Sequence, residues 1–222
     1  FNQINEDRKA PNIILSLKEG KDIALVSDAG TPLISDPGYK FIKHARESNI
    51  KVEPVPGCCA LIAAITSSGL PSDQFSFHGF LPRSATKRIN ELKKISDKEE
   101  TLIFYESVHR IQSAIEDMIS VFGGNRPAVL CKEITKIHES FIGETLSDIS
   151  IFFKKNEDKI KGEFTIVVQG SSAIEGIGEE LDRVLRILMG ELSLKKAVEI
   201  ASKITKHSKS KIYDRALKIK NQ

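Results

Sequence analysis

Two short apolar runs set the tightest limit on how the first third of this chain can fold, because a turn and a helix-forming stretch follow each of them. A helical pattern from Ala10 to Glu19 closes at Gly20, and Ile23-Ala24-Leu25-Val26 then has the length and composition of a buried strand. The loop from Ser27 to Gly38 leads into a helix over Tyr39 to Ser48. Lys51 to Val55 forms the second strand, and Gly57 to Ser68 a second helix of small residues. Strand, helix, strand, helix at this spacing predicts parallel pairing through right-handed crossovers.

Gly69-Leu70-Pro71-Ser72-Asp73 breaks that pattern and marks a boundary between lobes. Beyond it, strands are predicted at Phe75 to His78 and Thr101 to Tyr105, separated by a basic amphipathic helix from Ser84 to Ile95. A helix over Val108 to Val121 follows, then strand-like runs at Ala128 to Glu133, His138 to Ile142 and Glu163 to Gln169. Successive strands without an intervening helix predict a mixed sheet. The rest is helical, over Glu179 to Met189, Leu194 to Ile204 and Lys209 to Ile219, with Ser193 and Ser208 as N-caps. The expected fold is α/β and two-lobed, with a parallel-sheet N-lobe over 1–71, a mixed-sheet C-lobe over 72–172 and a basic helical extension over 173–222.

Apolar residues make up 40% of the 222 and charged residues 28%, enough for packed cores and too apolar for general disorder. No apolar run reaches the roughly 18 residues of a membrane span, and the start lacks a signal-peptide pattern. A cytoplasmic protein is expected. Cys58 and Cys59 are adjacent and Cys131 is distant, which is neither a disulfide framework nor a metal spacing; buried reduced thiols are expected, and no metal. From Ser193 onward nine Lys and Arg face only Glu199 and Asp214, a local +7 in a chain whose net charge is +3. Such a tail suits phosphates, or is a solvated helical face. The chain opens at Phe1 in a polar stretch that reads like the middle of a protein, so a fragment or truncated form is expected.

The turn Ser27-Asp28-Ala29-Gly30-Thr31-Pro32 follows the carboxyl end of an expected strand, where open α/β sheets place ligands. Gly30 permits close backbone approach there. Pro56-Gly57-Cys58-Cys59-Ala60 also follows an expected strand and opens a helix, with amides free to meet a ligand. Either turn alone is also an ordinary strand-to-helix connection. Together they define a cleft.

Val26-Ser27-Asp28-Ala29-Gly30-Thr31-Pro32-Leu33-Ile34-Ser35-Asp36-Pro37-Gly38, Pro56-Gly57, Phe77-His78-Gly79-Phe80-Leu81-Pro82, Phe104-Tyr105-Glu106-Ser107-Val108-His109-Arg110 and Lys161-Gly162-Glu163-Phe164 occur in a distinctive order. Through these blocks, essentially the whole chain resembles the RsmI family of ribosomal RNA small subunit methyltransferases, in the tetrapyrrole-methylase superfamily. The resemblance implies a two-lobed methylase, a homodimer, with S-adenosylmethionine between the lobes. Asp28, Ala29 and Gly30 would touch that cofactor, Cys58 and Cys59 would line its pocket, Phe80 and Leu81 would wall it, and Glu163, Phe164 and Thr165 would border the adenine. The implied substrate is a cytidine ribose 2′-hydroxyl in the decoding region of 16S rRNA, offered as naked RNA or as an assembled small subunit. In that family a first strand and a glycine-containing loop precede the position matching Phe1, so an N-terminally truncated, inactive form is also an expectation.

A ribose hydroxyl is a poor nucleophile and must lose its proton, so a carboxylate, imidazole or lysine is needed nearby. Glu106, His109 and Arg110 begin a helix, and positions 106 and 110 share a face. Glu106 is the candidate proton acceptor and Arg110 a phosphate ligand; a plain ion pair between them reads equally well. Lys132, at a strand end, is a further catalytic candidate, with an ordinary ion pair as its alternative. His78 and His138 have no partner at ligand spacing and read as structural. Arg83, Lys87 and Arg88 on the basic helix and its lead-in, with Lys195 and Lys196 in the tail, are the candidate RNA contacts. A methylase of small tetrapyrrole-type substrates and a non-catalytic RNA-binding fragment are the competing functions; the first would not need the lysine-rich appendage.

Overall fold

A computed structural model describes residues 6–156, 160–171, 178–205 and 209–220. The expected cap Ser208 lies outside the described residues. At the centre stands a five-stranded sheet built from β1 (Phe75–Phe80), β2 (Thr101–Ser107), β3 (Ala128–Lys132), β4 (Ser140–Ile142) and β5 (Glu163–Val168), in the order β1-β2-β5-β3-β4. β1 and β2 run parallel and the other neighbours antiparallel. The mixed sheet expected of this part of the chain is therefore present.

Side-chain alternation divides the strands between two cores. Leu102 and Phe104 of β2, Leu130 of β3, and Phe164, Ile166 and Val168 of β5 enter one of them. Covering that face are α4 (Ala85–Lys94), α5 (Ile111–Phe122) and α6 (Leu146–Lys155), through Leu92, Ile111, Ile115, Met118, Leu146, Ile149 and Phe153. On the opposite face Ile103, Val129, Cys131 and Val167 meet Leu61, Ala64 and Ile65 of α3 (Ala60–Ser67). Each fully buried aliphatic or aromatic side chain contributes about 1.5–3 kcal/mol, so the sheet cannot slip register by one residue without exchanging both cores.

No helix is predicted over α6 from the sequence. Thr145 caps its start, the Thr145 side chain accepting the Asp148 amide at 3.2 Å while the Asp148 carboxylate accepts the Thr145 amide at 3.0 Å. This reciprocal capping box fixes the helix between β4 and β5.

Near the N-terminus α1 (Glu6–Lys18) packs on α2 (Tyr39–Glu47) through Ala10, Ile14, Phe41 and Ala45. The two strands expected at 23–26 and 51–55 do not form. Both segments are irregular, Val26 is 81% exposed and Val55 is 90% exposed. A parallel strand gains stability by being covered on both faces and hydrogen-bonded along an edge. Of the two segments only Leu25 and Val52 tuck against the α1–α2 pair, and neither segment joins a ladder among the described residues. The parallel pairing expected of the N-terminal part is thus corrected, while the α/β class stands.

The C-terminal helices α7 (Gly178–Glu191), α8 (Leu194–Thr205) and α9 (Lys209–Lys220) close on their own core of Leu181, Leu185, Val198, Ala201, Ile212 and Ala216. Arg215 on α9 donates two hydrogen bonds to Asp182 on α7, at 2.7 and 2.6 Å. This forked geometry, closer than a point-charge pair, fixes the angle of α9. No helix among the described residues is long and apolar enough to cross a membrane.

Arg88 corrects a second expectation. Its side chain is 4% exposed, donates to Asp117 of α5 at 2.7 Å through Nε, and lies within 3.4 Å of the Pro82 and Arg83 carbonyls. An arginine committed in this way joins α4 to α5 and has no reach toward RNA, whereas its neighbour Lys87 is exposed. Arg88→Ala is expected to lower stability by about 2–3 kcal/mol, somewhat under the full cost of a broken buried pair because Asp117 keeps some solvent. Lys87→Ala is expected to stay within about 0.5 kcal/mol of wild type. Urea denaturation of the two variants checks the contrast; equal midpoints would show that Arg88 is not structural.

Candidate active site

The parallel pair β1–β2 ends on one edge of the sheet, and the loops leaving its carboxyl ends build a cavity of about 720 Å³ lined by Phe80, Leu81, Pro82, Arg83, Ser107, His109 and Arg110. Open α/β sheets bind ligands at this end because the chain must diverge there.

The turns at Asp28 and Gly57 meet, although 27 residues separate the groups that join them. The Thr31 hydroxyl donates to the Cys58 carbonyl at 2.8 Å. In the first turn Ser27 Oγ lies within reach of the Ala29 carbonyl at 3.0 Å and of the Asp36 carboxylate. Leu33 and Ser35 hold positive φ angles of 73° and 60°. Non-glycine residues in that region cost on the order of 1–3 kcal/mol each, and such strain collects at ligand-binding loops. Ser35 also lies against Gly79, where an added Cβ would stand 3.5 Å from Ser35 Oγ. The loop over 27–38 therefore bridges the Gly57 turn and the end of β1.

Between the turns and the cavity stand two aromatic rings. Tyr105 meets Phe77 edge-on at 4.8 Å and Phe80 at 5.8 Å. Its hydroxyl accepts the Leu61 amide at 3.1 Å, capping one of the first-turn donors of α3. Burial pushes the Tyr105 hydroxyl up to about 12, so it stays protonated at neutral pH and acts as a hydrogen-bonding group. Tyr105 is absent from the sequence-based candidates; its place in the Phe104-to-Arg110 block, one residue before Glu106, is the signal that could have found it.

Glu106 faces the other way. Its side chain is fully buried, and Oε1 accepts Arg110 Nη2 at 2.6 Å and the Ser107 amide at 2.8 Å. Oε2 is buried with no hydrogen-bond partner among the described residues. Arg110 also donates to Ser107 Oγ at 3.2 Å and to the Leu81 carbonyl at 3.1 Å, which locks its guanidinium in the cavity wall. Glu106 does not line the cavity. It orients Arg110, which does.

The remaining candidates divide by strand alternation. Thr165 pairs with Tyr105 and shares its face, whereas Phe164 pairs with Glu106 and is buried in the opposite core. Phe164 is 3% exposed, packs beneath α4, α5 and α6, and is not part of the cavity lining. Glu163 is exposed and accepts Lys136 at 3.0 Å. Lys132 shares a row with Phe164 and Glu106, two strand spacings from the latter, roughly 10 Å; it is not part of the cavity lining, so its catalytic candidacy is not supported by position. Cys58 is exposed rather than buried, Cys59 is half-buried, and burial pushes the Cys131 thiol up to about 12. His78 stacks on Phe104 at 5.3 Å and pairs with Ser76 at 2.9 Å. Lys195 and Lys196 are exposed on α8, and Lys195 lines a smaller cavity of about 330 Å³ with Val198, Glu199, Lys209 and Tyr213.

Residues 2–150 match the model of the tetrapyrrole (corrin/porphyrin) methylases, and residues 175–220 match the RsmI C-terminal HTH domain. Among solved structures, diphthine synthase superposes with a TM-score of 0.57 at 16% identity, covering 78% of this chain and 68% of that one. The methyltransferase CobJ gives 0.56 at 18% identity, with 78% and 73% covered. At such identities the likeness shows the fold alone. Relatives called ribosomal RNA small subunit methyltransferase I are closer in sequence. The Escherichia coli O157:H7 protein is 44% identical over 96% of this chain and 75% of its own length. The Pseudomonas aeruginosa protein is 44% identical over 96% and 77%, and one from Buchnera aphidicola 41% identical over 100% and 79%. Likeness of that extent, carried through both the methylase region and the terminal helices, means that the chain belongs to the ribosomal RNA small subunit methyltransferase I family.

Proposed function

We propose that this protein transfers a methyl group from S-adenosylmethionine to the ribose 2′-hydroxyl of a cytidine in the decoding region of small-subunit ribosomal RNA, in the cytoplasm and as a homodimer. The observation that carries the reading is the Thr31–Cys58 junction, which joins the two turns beside a cavity walled by Arg83 and Arg110. In this reading residues 1–71 and 72–172 form the methylase lobes and residues 173–222 the RNA-binding appendage.

The residues present fit S-adenosylmethionine. Asp28 is an exposed carboxylate on a strained turn, suited to the ligand's amino or ribose groups, with Ala29 and Gly30 leaving backbone accessible beside it. Cys58 and Cys59 add small side chains opposite. The rings of Phe80 and Tyr105 offer π faces, which attract a sulfonium cation as they would an ammonium. Bound there, the cofactor supplies an electrophilic methyl group. The protein contributes position: two oriented turns, an aromatic wall, and a fixed guanidinium for a phosphate next to the reacting ribose.

RNA is held at two places in this scheme. Arg83 and Arg110 line the cavity, and Lys87 is exposed on the first turn of α4. On the terminal helices Lys195, Lys196, Lys203 and Lys209 surround Glu199, and the Lys203 side chain beside that carboxylate holds it below the usual carboxylate range. Four cations around one acid leave a positive surface, and Tyr213 gives it one aromatic face.

Incubation with labelled cofactor and small ribosomal subunits or their RNA is expected to give one methylated cytidine that resists alkaline cleavage at its ribose; a methyl group on a base would refute the ribose assignment. Asp28→Ala is expected to weaken cofactor binding about 10-fold or more in calorimetry, the effect of losing a charged hydrogen-bond partner. The pair Lys195→Glu and Lys196→Glu is expected to lower RNA affinity and to flatten its logarithmic salt dependence by roughly 2. Unchanged salt slopes would remove α8 from the RNA contacts.

A further inference from the structure

Methylation of a ribose hydroxyl releases a proton, and the fold restricts which side chain can take it. Glu106 is fully enclosed, and one oxygen is committed to Arg110 and the Ser107 amide. Arginine does not deprotonate in proteins, which removes Arg83 and Arg110. Tyr105, pushed up to about 12, already carries its proton. Lys132 lies two strands away from Glu106, Asp36 stands against Ser27, and Glu163 is paired with Lys136.

His109 remains. It lines the cavity, is exposed, and sits between Ser107 and Arg110 where the chain leaves β2. Among the described side chains that line the cavity, its imidazole alone is of the type that serves as a general base. The arginine that follows it is fixed by three partners, so a phosphate held by Arg110 would bring an adjoining ribose to the imidazole.

We propose that His109 accepts the proton of the 2′-hydroxyl during methyl transfer. An oxygen lone pair forms the O–CH3 bond, the electron pair of the CH3–S bond leaves on sulfur, and the hydroxyl proton passes to the imidazole nitrogen. The products are the methylated ribose, S-adenosylhomocysteine and an imidazolium that returns its proton to solvent. Glu106 is then the positioning residue for Arg110, not the base. This inference rests on the function proposed above.

The test compares wild type, His109→Ala and Glu106→Gln on small-subunit RNA under single turnover, with RNA and cofactor binding measured separately. His109→Ala is expected to slow transfer about 100-fold or more, the usual scale of general-base catalysis, with both affinities within about 2-fold and with partial rescue by added imidazole. Glu106→Gln is expected to weaken RNA binding as well as turnover, without rescue. In wild type the His109 ring resonance is expected to shift when a cytidine-containing fragment of that RNA is added. A His109→Ala rate within about 3-fold of wild type, loss explained entirely by RNA affinity, absence of rescue, or a motionless His109 resonance would each overturn the assignment. Wild-type protein that methylates no ribose sinks the function itself, whereas active wild type with an unaffected His109→Ala sinks this inference alone.

Discussion

Because successive side chains of β2 must leave on opposite faces, Tyr105 and Glu106 cannot serve the same compartment, and the rest of the site inherits that division. Phe104 and Ile103 pin the register from both cores, each fully buried. Tyr105 is thereby aimed at α3, where its hydroxyl meets the Leu61 amide beside the Cys58–Cys59 turn. Glu106 is aimed at the helical layer of α4, α5 and α6, where it meets Arg110 at the start of α5. A shift of one residue would exchange a phenol for a carboxylate in a hydrophobic core, at a cost of several kcal/mol for the charge alone. The core thus fixes the faces from which Tyr105 and Glu106 project, and hydrogen bonds to Glu106, Ser107 and Leu81 then hold the guanidinium.

Most of the sheet was legible because its strands are β-branched and aromatic runs with clear punctuation, and β1, β2, β3 and β5 fall within a residue or two of their expected limits. α6 is not expected from the sequence although Thr145 and Asp148 stand three positions apart, because its apolar residues include Phe152 and Phe153, which read equally as strand. Arg88 lies four positions before Leu92 and seven before Ile95, so helical spacing alone places it on the buried face. Its partner Asp117 is 29 residues away and is invisible to any local pattern. The segments at 23–26 and 51–55 show the opposite failure. Their composition is that of strands, yet strand formation is decided by neighbours that supply ladder and cover.

The site was legible in its parts and not in its assembly. Glycine and proline mark the turns at Asp28 and Gly57, and the four-residue spacing marks Glu106 with Arg110. What brings the turns together is one hydroxyl, Thr31, reaching a backbone carbonyl. That contact depends on the path of the loop over 27–38, including left-handed Leu33 and Ser35, which no residue preference would suggest. His109 was visible beside Arg110, but its relevance depends on which neighbours are buried.

The unpartnered Oε2 of Glu106 shows why the carboxylate is better understood as an orienting group. A buried carboxylate oxygen without a partner costs on the order of 1–3 kcal/mol or more, and a well-packed apolar residue would avoid that cost entirely. What Glu106 provides in return is direction, since Arg110 has three fixed contacts and two N–H groups left to face the cavity. A lysine there would present one mobile ammonium in place of a planar fork, and could not satisfy Ser107, Leu81 and Glu106 while still facing a phosphate. The arrangement spends stability on a rigid cation at the carboxyl ends of β1 and β2, beside His109 in the cavity lining and with Phe80 and Tyr105 between it and the start of α3. Positioning by rigid charges is the mode of catalysis such a site supports, with little left for the surrounding protein to rearrange.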